Sequence, residues 1–521
     1  MKLTTPISIV AMLICMAICI DLHSAEANFD IIPRPQKVEA TGGKAFNITP
    51  STRIVYDSEN RRNAQFLQQY IKEITGMELA ITRQHKSKNA IMLSSKSSDG
   101  NGEGYTINVS HKCIAIEGNS TAGTFYGLQT LRKALPIGSA DTVEVPATII
   151  NDSPRFGSRR TELAVSRHFF PADSVKRFLD ILALHNVNRF HWHLTDDQGW
   201  RVEIKSRPQL TRIGSFRNQT TGDGKSHFGF YTQEQICDIV AYAAERHITI
   251  IPEVDVPGHT YAALASYPEL GCTGGPYKVL EQWGGGNGDV LCAGNNATIK
   301  FLEDVFNEIA DLFPSEYIHI GGDECPKGRW HECPKCQAKI KELGIIADEK
   351  HSAEQKLQSY IMVSVENILA RRGRKVIGWD EILEGGLGAT ATVHSWRGME
   401  GAIEAVKQNH DAVLSPTSHC YFDYNPDVVT PINKVYSFSP IPESFSKADE
   451  AHILGVQANV WTEYIPTFQK VQEMTLPRLT ALSEVQWSDE KAKDYESFKL
   501  RLEHMLRLFD RLGIKYYYGA H

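Results

Sequence analysis

The chain has 521 residues, of which 42% are hydrophobic and 22% are charged, a composition typical of a soluble globular protein. This length exceeds one ordinary domain and predicts two or three. Because 62 acidic residues outnumber 55 basic ones, the net charge is −7, which argues against nucleic acid or an anionic membrane surface as the main partner.

The N-terminal segment has the features of an export signal. Lys2 supplies a positive charge, residues 7–20 are almost wholly apolar, and small residues follow at Ala25 and Ala27. We expect a signal peptide over residues 1–27, cleaved after Ala27, and an exported protein that is periplasmic or secreted. The apolar run is short for a bilayer and no later stretch reaches the required ~20 residues, so we expect no stable membrane span.

Residues 28–150 mix short strand patterns with two helical patterns. "TRIVYD" and "CIAIEG" are typical of strands, whereas "NAQFLQQYIKEITG" and "TAGTFYGLQTLRKAL" repeat apolar residues at intervals of three and four. The segment predicts a small α+β domain. Polar and turn residues before Pro154 indicate a boundary, which places a second domain over residues 151–521.

The second region alternates short buried strands with long amphipathic helices. Eight strands are predicted, at residues 161–166, 187–194, 248–254, 317–322, 375–379, 390–396, 411–416 and 454–461. Eight such units predict an α/β fold of the closed (β/α)₈ or TIM-barrel type. An open doubly wound sheet would need a glycine-rich phosphate-binding turn after its first strand, and residues 161–166 are followed by none.

Carboxylates and tryptophans recur where these strands end, which is where a barrel of this type has its active site. The residues are Arg167, His168, Asp196, Asp197, Glu253, Asp255, His259, Asp323, Glu324, Trp379, Asp380, Glu381, Trp396, Tyr421, Asp423, Trp461 and Glu463. Aromatic faces cover the apolar faces of sugar rings, while charged groups bind their hydroxyls. The pattern therefore predicts a sugar site.

Asp323 and Glu324 are the candidates for glycoside hydrolysis. A neighbouring carboxylate is expected to raise the pKa of Glu324, which favours it as the general acid. Asp323 is too close in sequence to act as the second carboxylate on the opposite side of the scissile bond, as in the common two-carboxylate geometry. Asp380 and Glu381 are interpreted as a helix cap and left out of the catalytic set.

Six motifs resemble glycoside hydrolase family 20, the β-N-acetylhexosaminidases. They are "FHWHLTDDQGWRVEIK" (190–205), "IPEVDVPGHTYAAL" (251–264), "HIGGDE" (319–324), "GWDE" (378–381), "HSWRG" (394–398) and "VQANVWTEY" (456–464). The resemblance covers the barrel and the preceding small domain. It implies an exo-acting, retaining enzyme that removes terminal GlcNAc or GalNAc, with an oligosaccharide as substrate and no cofactor.

The resemblance also implies a role for each site residue. The substrate's 2-acetamido oxygen would attack the anomeric carbon to form an oxazolinium ion, stabilised by Asp323, while Glu324 would protonate the leaving oxygen and then activate water. The remaining implied residues are Arg159 and Glu463 on the sugar hydroxyls; Trp379, Trp396 and Trp461 around the ring; Tyr421 on the acetamido oxygen with Asp423 nearby; and His259 with Asp196 or Asp197 behind Glu324.

The first barrel strand departs from the family pattern. Arg160 stands where the family has Gly, and Ala164 stands where it has Asp. If that Asp orients the sugar-binding Arg, its loss alters affinity or specificity. A carbohydrate-binding protein with weakened catalysis is therefore one alternative. A metal-dependent amidohydrolase barrel, suggested by His191 and His193, is the other.

Eight cysteines follow the predicted signal peptide. Cys272 and Cys292 flank a glycine-rich segment, and a disulfide between them is the first expectation. Cys333 and Cys336, together with Cys325 and His331, could bind zinc or contain a local disulfide, and the disulfide is slightly preferred. No metal is expected in catalysis, and the oligomeric state is left open.

Overall fold

The computed structural model describes residues 25–84, 88–96, 102–284 and 286–519. The predicted signal peptide lies outside these ranges up to residue 24. Ala25–Glu26 pair with Val143 and Glu144, and the Ala27 amide donates to the Glu144 carbonyl, so the residues just before the predicted cleavage site pack against the first domain. Among the described residues, none of the helices combines the length and apolarity needed to cross a bilayer.

The described residues of the N-terminal domain form two sheets and two helices. Its strands are β1 (Ala25–Glu26), β2 (Lys37–Ala40), β3 (Phe46–Ile48), β4 (Arg53–Tyr56), β5 (Ala80–Thr82), β6 (Ala90–Ser95), β7 (Tyr105–Val109), β8 (Cys113–Gly118), β9 (Val143–Val145) and β10 (Thr148–Asp152). The strand orders are β1-β9-β3 and β2-β10-β7-β8-β6-β4-β5. Helices α1 (Arg61–Thr75) and α2 (Thr121–Ala134) pack on the larger sheet, and Ser120 caps α2 through its side chain.

A closed barrel of eight parallel strands follows, as predicted. Its strands and those of the intervening loop are β11 (Ser158–Ala164), β12 (Arg189–His193), β13 (Thr195–Asp196), β14 (Gly199–Trp200), β15 (Phe216–Arg217), β16 (His227–Phe228), β17 (Thr249–Glu253), β18 (Tyr317–His319), β19 (Lys375–Trp379), β20 (Thr392–Ser395), β21 (Ala412–Leu414) and β22 (Ile453–Ala458). The barrel order is β11-β12-β17-β18-β19-β20-β21-β22, and β22 pairs with β11 to close it.

The helices of the second region cover the barrel and build its loops. They are α3 (Ala172–Leu184), α4 (Gln209–Arg212), α5 (Gln233–Ala244), α6 (Tyr261–Ser266), α7 (Asn296–Leu312), α8 (Gly328–Glu332), α9 (Pro334–Glu342), α10 (Ala353–Ala370), α11 (Glu400–Lys407), α12 (Thr417–Cys420), α13 (Ile432–Ser437), α14 (Lys447–Glu450), α15 (Phe468–Thr475), α16 (Arg478–Trp487) and α17 (Tyr495–Leu512). Capping boxes start α5 and α10. All eight predicted barrel strands are confirmed, with small shifts at their ends.

Candidate active site

A glycine turn after β18 presents the two adjacent carboxylates. Gly321 and Gly322 have φ angles of 67° and 100°, and a Cβ on Gly321 would lie 1.7 Å from Asp255 Oδ1. Because only glycine tolerates this conformation and this close approach, the "GG" of the motif is a steric requirement. The Gly322 amide donates to Asp255 Oδ1 at 3.1 Å, which fixes the turn.

The turn gives Asp323 and Glu324 different environments. The Asp323 side chain is 12% exposed, whereas that of Glu324 is 61% exposed. Glu324 also has a φ angle of 44°, an unfavourable left-handed conformation for a residue with a Cβ. Backbone strain of this kind is common at active sites, where the surrounding structure holds it.

His259 lies between four carboxylates. Its Nδ1 atom is 3.3 Å from an oxygen of Asp196 and 3.3 Å from an oxygen of Asp197. Its Nε2 atom is 3.5 Å from Asp323 Oδ2 and 3.6 Å from Glu324 Oε2. The structure thus brings together the predicted catalytic pair and its predicted support, and it places a protein cation between the two carboxylates.

The charges around His259 determine which groups hold protons. Burial opposes protonation of His259, but the carboxylates of Asp196 and Asp323 outweigh it and hold its pKa well above the ordinary value. Burial raises the pKa of Asp323, and the His259 charge offsets part of that effect. The contact with His259 lowers the pKa of Glu324, so the predicted rise of this pKa is wrong.

Arg167, rather than Arg159, is the arginine of the site. Its Nε atom is 2.9 Å from Asp196 Oδ2, its Nη1 atom donates to Glu463 Oε1 at 2.6 Å, and the guanidinium lies 4.8 Å from the centre of the Trp461 ring. The side chain is 14% exposed, so part of it faces the site. The sequence places Arg167 at the strand end, but no role is predicted for it there.

The expectation for Arg159 is corrected by its position on β11. This strand begins at Ser158, so Arg159 lies at the amino end of the barrel, opposite the catalytic carboxylates. There its guanidinium donates to Glu103 of the N-terminal domain at 2.7 and 3.1 Å and to the carbonyls of Asn186 and Phe156. Arg159 joins the two domains and cannot reach a sugar in the site.

The predicted aromatic residues meet above the barrel as a group separate from the main core. Trp379, Tyr421 and Trp461 pack together with Ala164, and Trp396 covers them from the side. The ring centres of Trp379 and Trp461 are 5.8 Å apart, and those of Trp396 and Tyr421 are 6.1 Å apart. Ala164, a departure from the family pattern, therefore contributes an apolar surface to this aromatic group.

Asp423 and Glu463 lie beside the aromatic group. Burial, together with the negative charge of Glu463, raises the pKa of Asp423 to about 7. Its Oδ1 atom is buried without a hydrogen-bond partner among the described residues. An unsatisfied acceptor next to Arg167 and Glu463 is suited to a sugar hydroxyl, which both donates and accepts.

A buried carboxylate, Glu253, holds the base of the site. Its oxygens are 2.9 Å from His191 Nε2, 2.5 Å from His193 Nδ1 and 3.0 Å from His319 Nδ1, and Oε1 also accepts from Trp379 Nε1 at 2.9 Å. Despite complete burial, these histidines lower the pKa of Glu253 well below its ordinary value. The two histidines of "HWH" thus hold Glu253, which in turn accepts from Trp379. This is the structural role that strand packing predicts for them.

Glu381 is a site residue that the sequence interpretation missed. The "DE" pair forms a 3₁₀ turn, and Glu381 Oε2 accepts from Trp396 Nε1 at 3.0 Å. Burial and the charge of Asp323 raise the pKa of Glu381 to about 8. Its neighbour Asp380 accepts instead from Arg397 and the Trp396 amide. The only sequence signal was its place at a strand end.

The cysteines also differ from expectation. Cys272 and Cys292 are free thiols, and they lie beside Cys333 and Cys336. The predicted Cys272–Cys292 disulfide is therefore wrong for this structure. Cys325 lies apart from this group and contacts the Pro326 carbonyl, while His331 pairs with Glu354.

Comparisons with known protein families match both domains to the same family. Residues 156–490 match the sequence model "Glycosyl hydrolase family 20, catalytic domain", and residues 28–153 match "Glycosyl hydrolase family 20, domain 2". A β-hexosaminidase from Porphyromonas gingivalis is 39% identical over 96% of this chain, which spans 65% of that relative's length. One from Vibrio furnissii is 35% identical over 88% of this chain and 76% of its own.

Solved structures agree with this comparison. A GH20 exo β-N-acetylglucosaminidase from Vibrio harveyi, in complex with N-acetylglucosamine, matches with a TM-score of 0.84 and 32% identity, over 95% of this chain and 79% of that one. A Streptomyces plicatus N-acetyl-β-hexosaminidase matches with a TM-score of 0.82 and 32% identity, over 94% of this chain and 96% of that one.

Proposed function

The chain belongs to glycosyl hydrolase family 20, and we propose that it is an exo-acting, retaining β-N-acetylhexosaminidase whose substrates carry a terminal N-acetylhexosamine. One observation supports this most directly. Asp323 and Glu324 both approach Nε2 of His259, at 3.5 and 3.6 Å, so they lie on the same side of the site. Two carboxylates in this position suit substrate assistance better than attack from opposite faces of the sugar.

The nucleophile in this proposal is the substrate's own 2-acetamido oxygen. It attacks the anomeric carbon as the glycosidic bond breaks, which produces a cyclic oxazolinium ion. Asp323 accepts a hydrogen bond from the acetamido N–H and stabilises the positive charge that develops there. Burial raises the pKa of Asp323, which means that its unpaired carboxylate is destabilised. A positive charge that develops beside it in the transition state relieves this cost, so the transition state gains more from Asp323 than the bound substrate does.

Glu324 transfers the protons. It donates one to the leaving glycosidic oxygen and later accepts one from the water that opens the oxazolinium ion, which gives net retention. Its exposed side chain has a lowered pKa in this structure. A sugar seated against it would remove solvent and raise that pKa, so that the acid forms when substrate binds.

The surrounding side chains position the terminal sugar. Trp379, Trp396 and Trp461 line the ring and the acetamido methyl group, and Tyr421 donates to the acetamido oxygen. On the other side, Arg167 and Glu463 bind the hydroxyls of the non-reducing end, aided by Asp423 Oδ1, which has no hydrogen-bond partner in the described part of the chain. Groups that bind those hydroxyls limit access to a chain end, which makes the enzyme exo-acting.

The metal-dependent alternative is poorly supported by the histidines inside the barrel. His319 Nε2 lies 3.2 Å from His394 Nδ1, while His394 Nε2 lies 2.9 Å from Ser415 Oγ. His191 Nδ1 contacts Gln457 and its Nε2 contacts Glu253. His191 Nε2 has no hydrogen-bond partner among the described residues, but the other nitrogens have protein partners that a metal ion would have to displace.

We extend the proposal to export from the cytoplasm. Lys2, the apolar residues 7–20 and the small residues before Ala27 support a cleaved signal. Expression of the full chain with its signal, followed by N-terminal sequencing of the extracytoplasmic fraction, tests it. Recovery of the uncleaved chain in the cytoplasm would contradict export.

The catalytic proposal is tested with chromogenic N-acetyl-β-glucosaminide, N-acetyl-β-galactosaminide and plain β-glucoside substrates. We expect hydrolysis of N-acetylated substrates only, unaffected by a chelator, with kcat reduced about 10²–10⁴-fold in Glu324→Gln. Asp510→Asn, an exposed change on α17, serves as the matched control. Inhibition by chelator without a change in the thermal unfolding midpoint would support the amidohydrolase, and binding without turnover would support the weakened homologue.

A further inference from the structure

Four cysteines from three segments converge beside the active-site loops. Cys272 and Cys292 come from the loop after α6, Cys333 directly precedes α9, and Cys336 lies in its first turn. Their sulfur atoms all lie within 4.8 Å of one another, and three of the four residues are buried. None of these residues takes part in the proposed reaction.

The distances between the sulfur atoms indicate a shared centre rather than two bonded pairs. Cys292 Sγ is 3.8 Å from Cys333 Sγ and 3.7 Å from Cys336 Sγ, and Cys272 Sγ is 3.9 Å from Cys336 Sγ. A disulfide would bring two sulfurs to about 2.05 Å. Four thiolates around Zn²⁺ at about 2.3 Å form a tetrahedron with edges of about 3.8 Å.

The backbone is shaped to bring the two cysteine pairs together. Gly271 and Leu291 form an antiparallel bridge, and the Cys292 amide donates to the Leu270 carbonyl at 2.7 Å, which aligns Cys272 with Cys292. A Cβ on Gly294 would lie 2.1 Å from the carbonyl carbon of Lys335, so only glycine lets this loop approach the start of α9.

We propose that Cys272, Cys292, Cys333 and Cys336 bind one structural Zn²⁺ ion. Tetrahedral sulfur ligation suits zinc, and the Cys-x-x-Cys spacing at 333–336 is common in its structural sites. Binding converts each thiol to a thiolate and releases its proton to solvent. Four protein ligands leave no open position for water or substrate, so this ion has no catalytic role.

The ion fixes a loop at the edge of the active site. Trp283, between Cys272 and Cys292 in sequence, lies with its ring centre 5.5 Å from His168 and 6.3 Å from Tyr464. The Trp330 indole donates to the Leu291 carbonyl, so α8 is attached to the same loop. Zinc therefore links this edge to the segment that follows Asp323 and Glu324.

Metal content and sulfur coordination of the purified full chain test the proposal directly. Mass spectrometry of the metals is expected to give about one zinc per chain, with X-ray absorption showing four sulfur neighbours at about 2.3 Å. A mercurial thiol reagent should release the zinc. Mapping of two disulfides among these cysteines, iron in place of zinc, or a metal-free chain with free thiols would each overturn the proposal.

Variants provide a second readout. Cys336→Ser is expected to lower zinc content at least about tenfold and to lower the midpoint of thermal unfolding, because metal binding contributes folding free energy. Cys237→Ser, which changes an exposed thiol on α5, is the matched control and should retain zinc. If Cys336→Ser retains full zinc, the proposal that these four cysteines bind the ion is wrong. Zinc content does not depend on the proposed hydrolysis, so either proposal can fail alone.

Discussion

Two arginines, eight residues apart on and just after β11, show how differently the two ends of the barrel are built. Arg159 and Arg167 are both largely buried and both pair with carboxylates. Arg159, at the amino end, satisfies Glu103 and two backbone carbonyls, and its guanidinium lies 4.9 Å from the Trp487 ring centre. Arg167, at the carboxyl end, contacts two acidic residues of the catalytic face.

Burial and an ion pair do not by themselves distinguish a structural arginine from a functional one. The end of the strand at which the arginine lies distinguishes them, because the loops after parallel strands converge on one face of the barrel. The amino end forms the interface with the N-terminal domain. We therefore expect Arg159 to control stability and Arg167 to control turnover.

The largest effect is expected for Arg167→Lys. The charge beside Asp196 is retained, but lysine cannot bridge Asp196 and Glu463 while presenting a planar fork to the sugar. We expect kcat/KM to fall about 10²–10³-fold with little change in the unfolding midpoint. Steady-state kinetics with the N-acetyl-β-glucosaminide check this. An unchanged kcat/KM would mean that Arg167 does not bind the sugar hydroxyls.

Arg159→Met should show the opposite pattern. It leaves Glu103 at the domain interface without its guanidinium partner, which is expected to cost about 3 kcal/mol in the free energy of unfolding. The kcat/KM of the folded enzyme should stay within about twofold, because the site lies at the other end of the barrel. Denaturant unfolding measures the loss.

A matched control for Arg159→Met is Arg62→Met, which removes an exposed pair with Glu245. Such surface pairs contribute about 0–1 kcal/mol, so little change is expected. Equal losses in the two variants would contradict a special role for the interface arginine. A large loss of kcat/KM in folded Arg159→Met would contradict the division between the two barrel ends.

The effect expected for Glu381→Gln depends on pH. With a folded-state pKa of about 8, Glu381 favours the folded state fully below its ordinary pKa of 4.5, and this contribution is lost as pH rises through about 8. A neutral Gln at position 381 does not suffer the loss. The variant should therefore gain stability relative to the wild type between pH 4.5 and 8.

Thermal unfolding from pH 4.5 to 9 checks this prediction, with Glu400→Gln, an exposed carboxylate on α11, as control. The advantage of Glu381→Gln should level off above pH 8. A pH-independent difference would mean that Glu381 is ionised throughout. In that case Trp396 would be held by a carboxylate rather than by a carboxylic acid.

Much of the fold was predictable because the barrel strands are short, buried and separated by amphipathic helices. The positions of the strand ends were less reliable: β11 begins at Ser158 rather than at residue 161. That shift is decisive for Arg159, whose assignment came from family spacing. Arg167 could have been chosen by the simpler argument that it follows the strand.

The electrostatics of the site could not be predicted from sequence in the same way. His259 takes its charge from carboxylates on two separate loops, and its effect on Glu324 reverses the direction expected from the neighbour Asp323 alone. Glu381 looked like a helix cap because its contact with Trp396 exists only in three dimensions. The four cysteines converge from distant segments for the same reason.

The proposed mechanism depends most on the acetamido group acting as the nucleophile while Asp323 stabilises the positive charge that develops on it. Its most direct test is a series of β-glucosaminides whose N-acyl group carries zero to three fluorines, compared at one leaving group. Fluorine withdraws electrons from the acyl oxygen, so kcat/KM should fall steeply and progressively. Equal rates across the series, or a sugar bound covalently to a protein side chain, would contradict the mechanism.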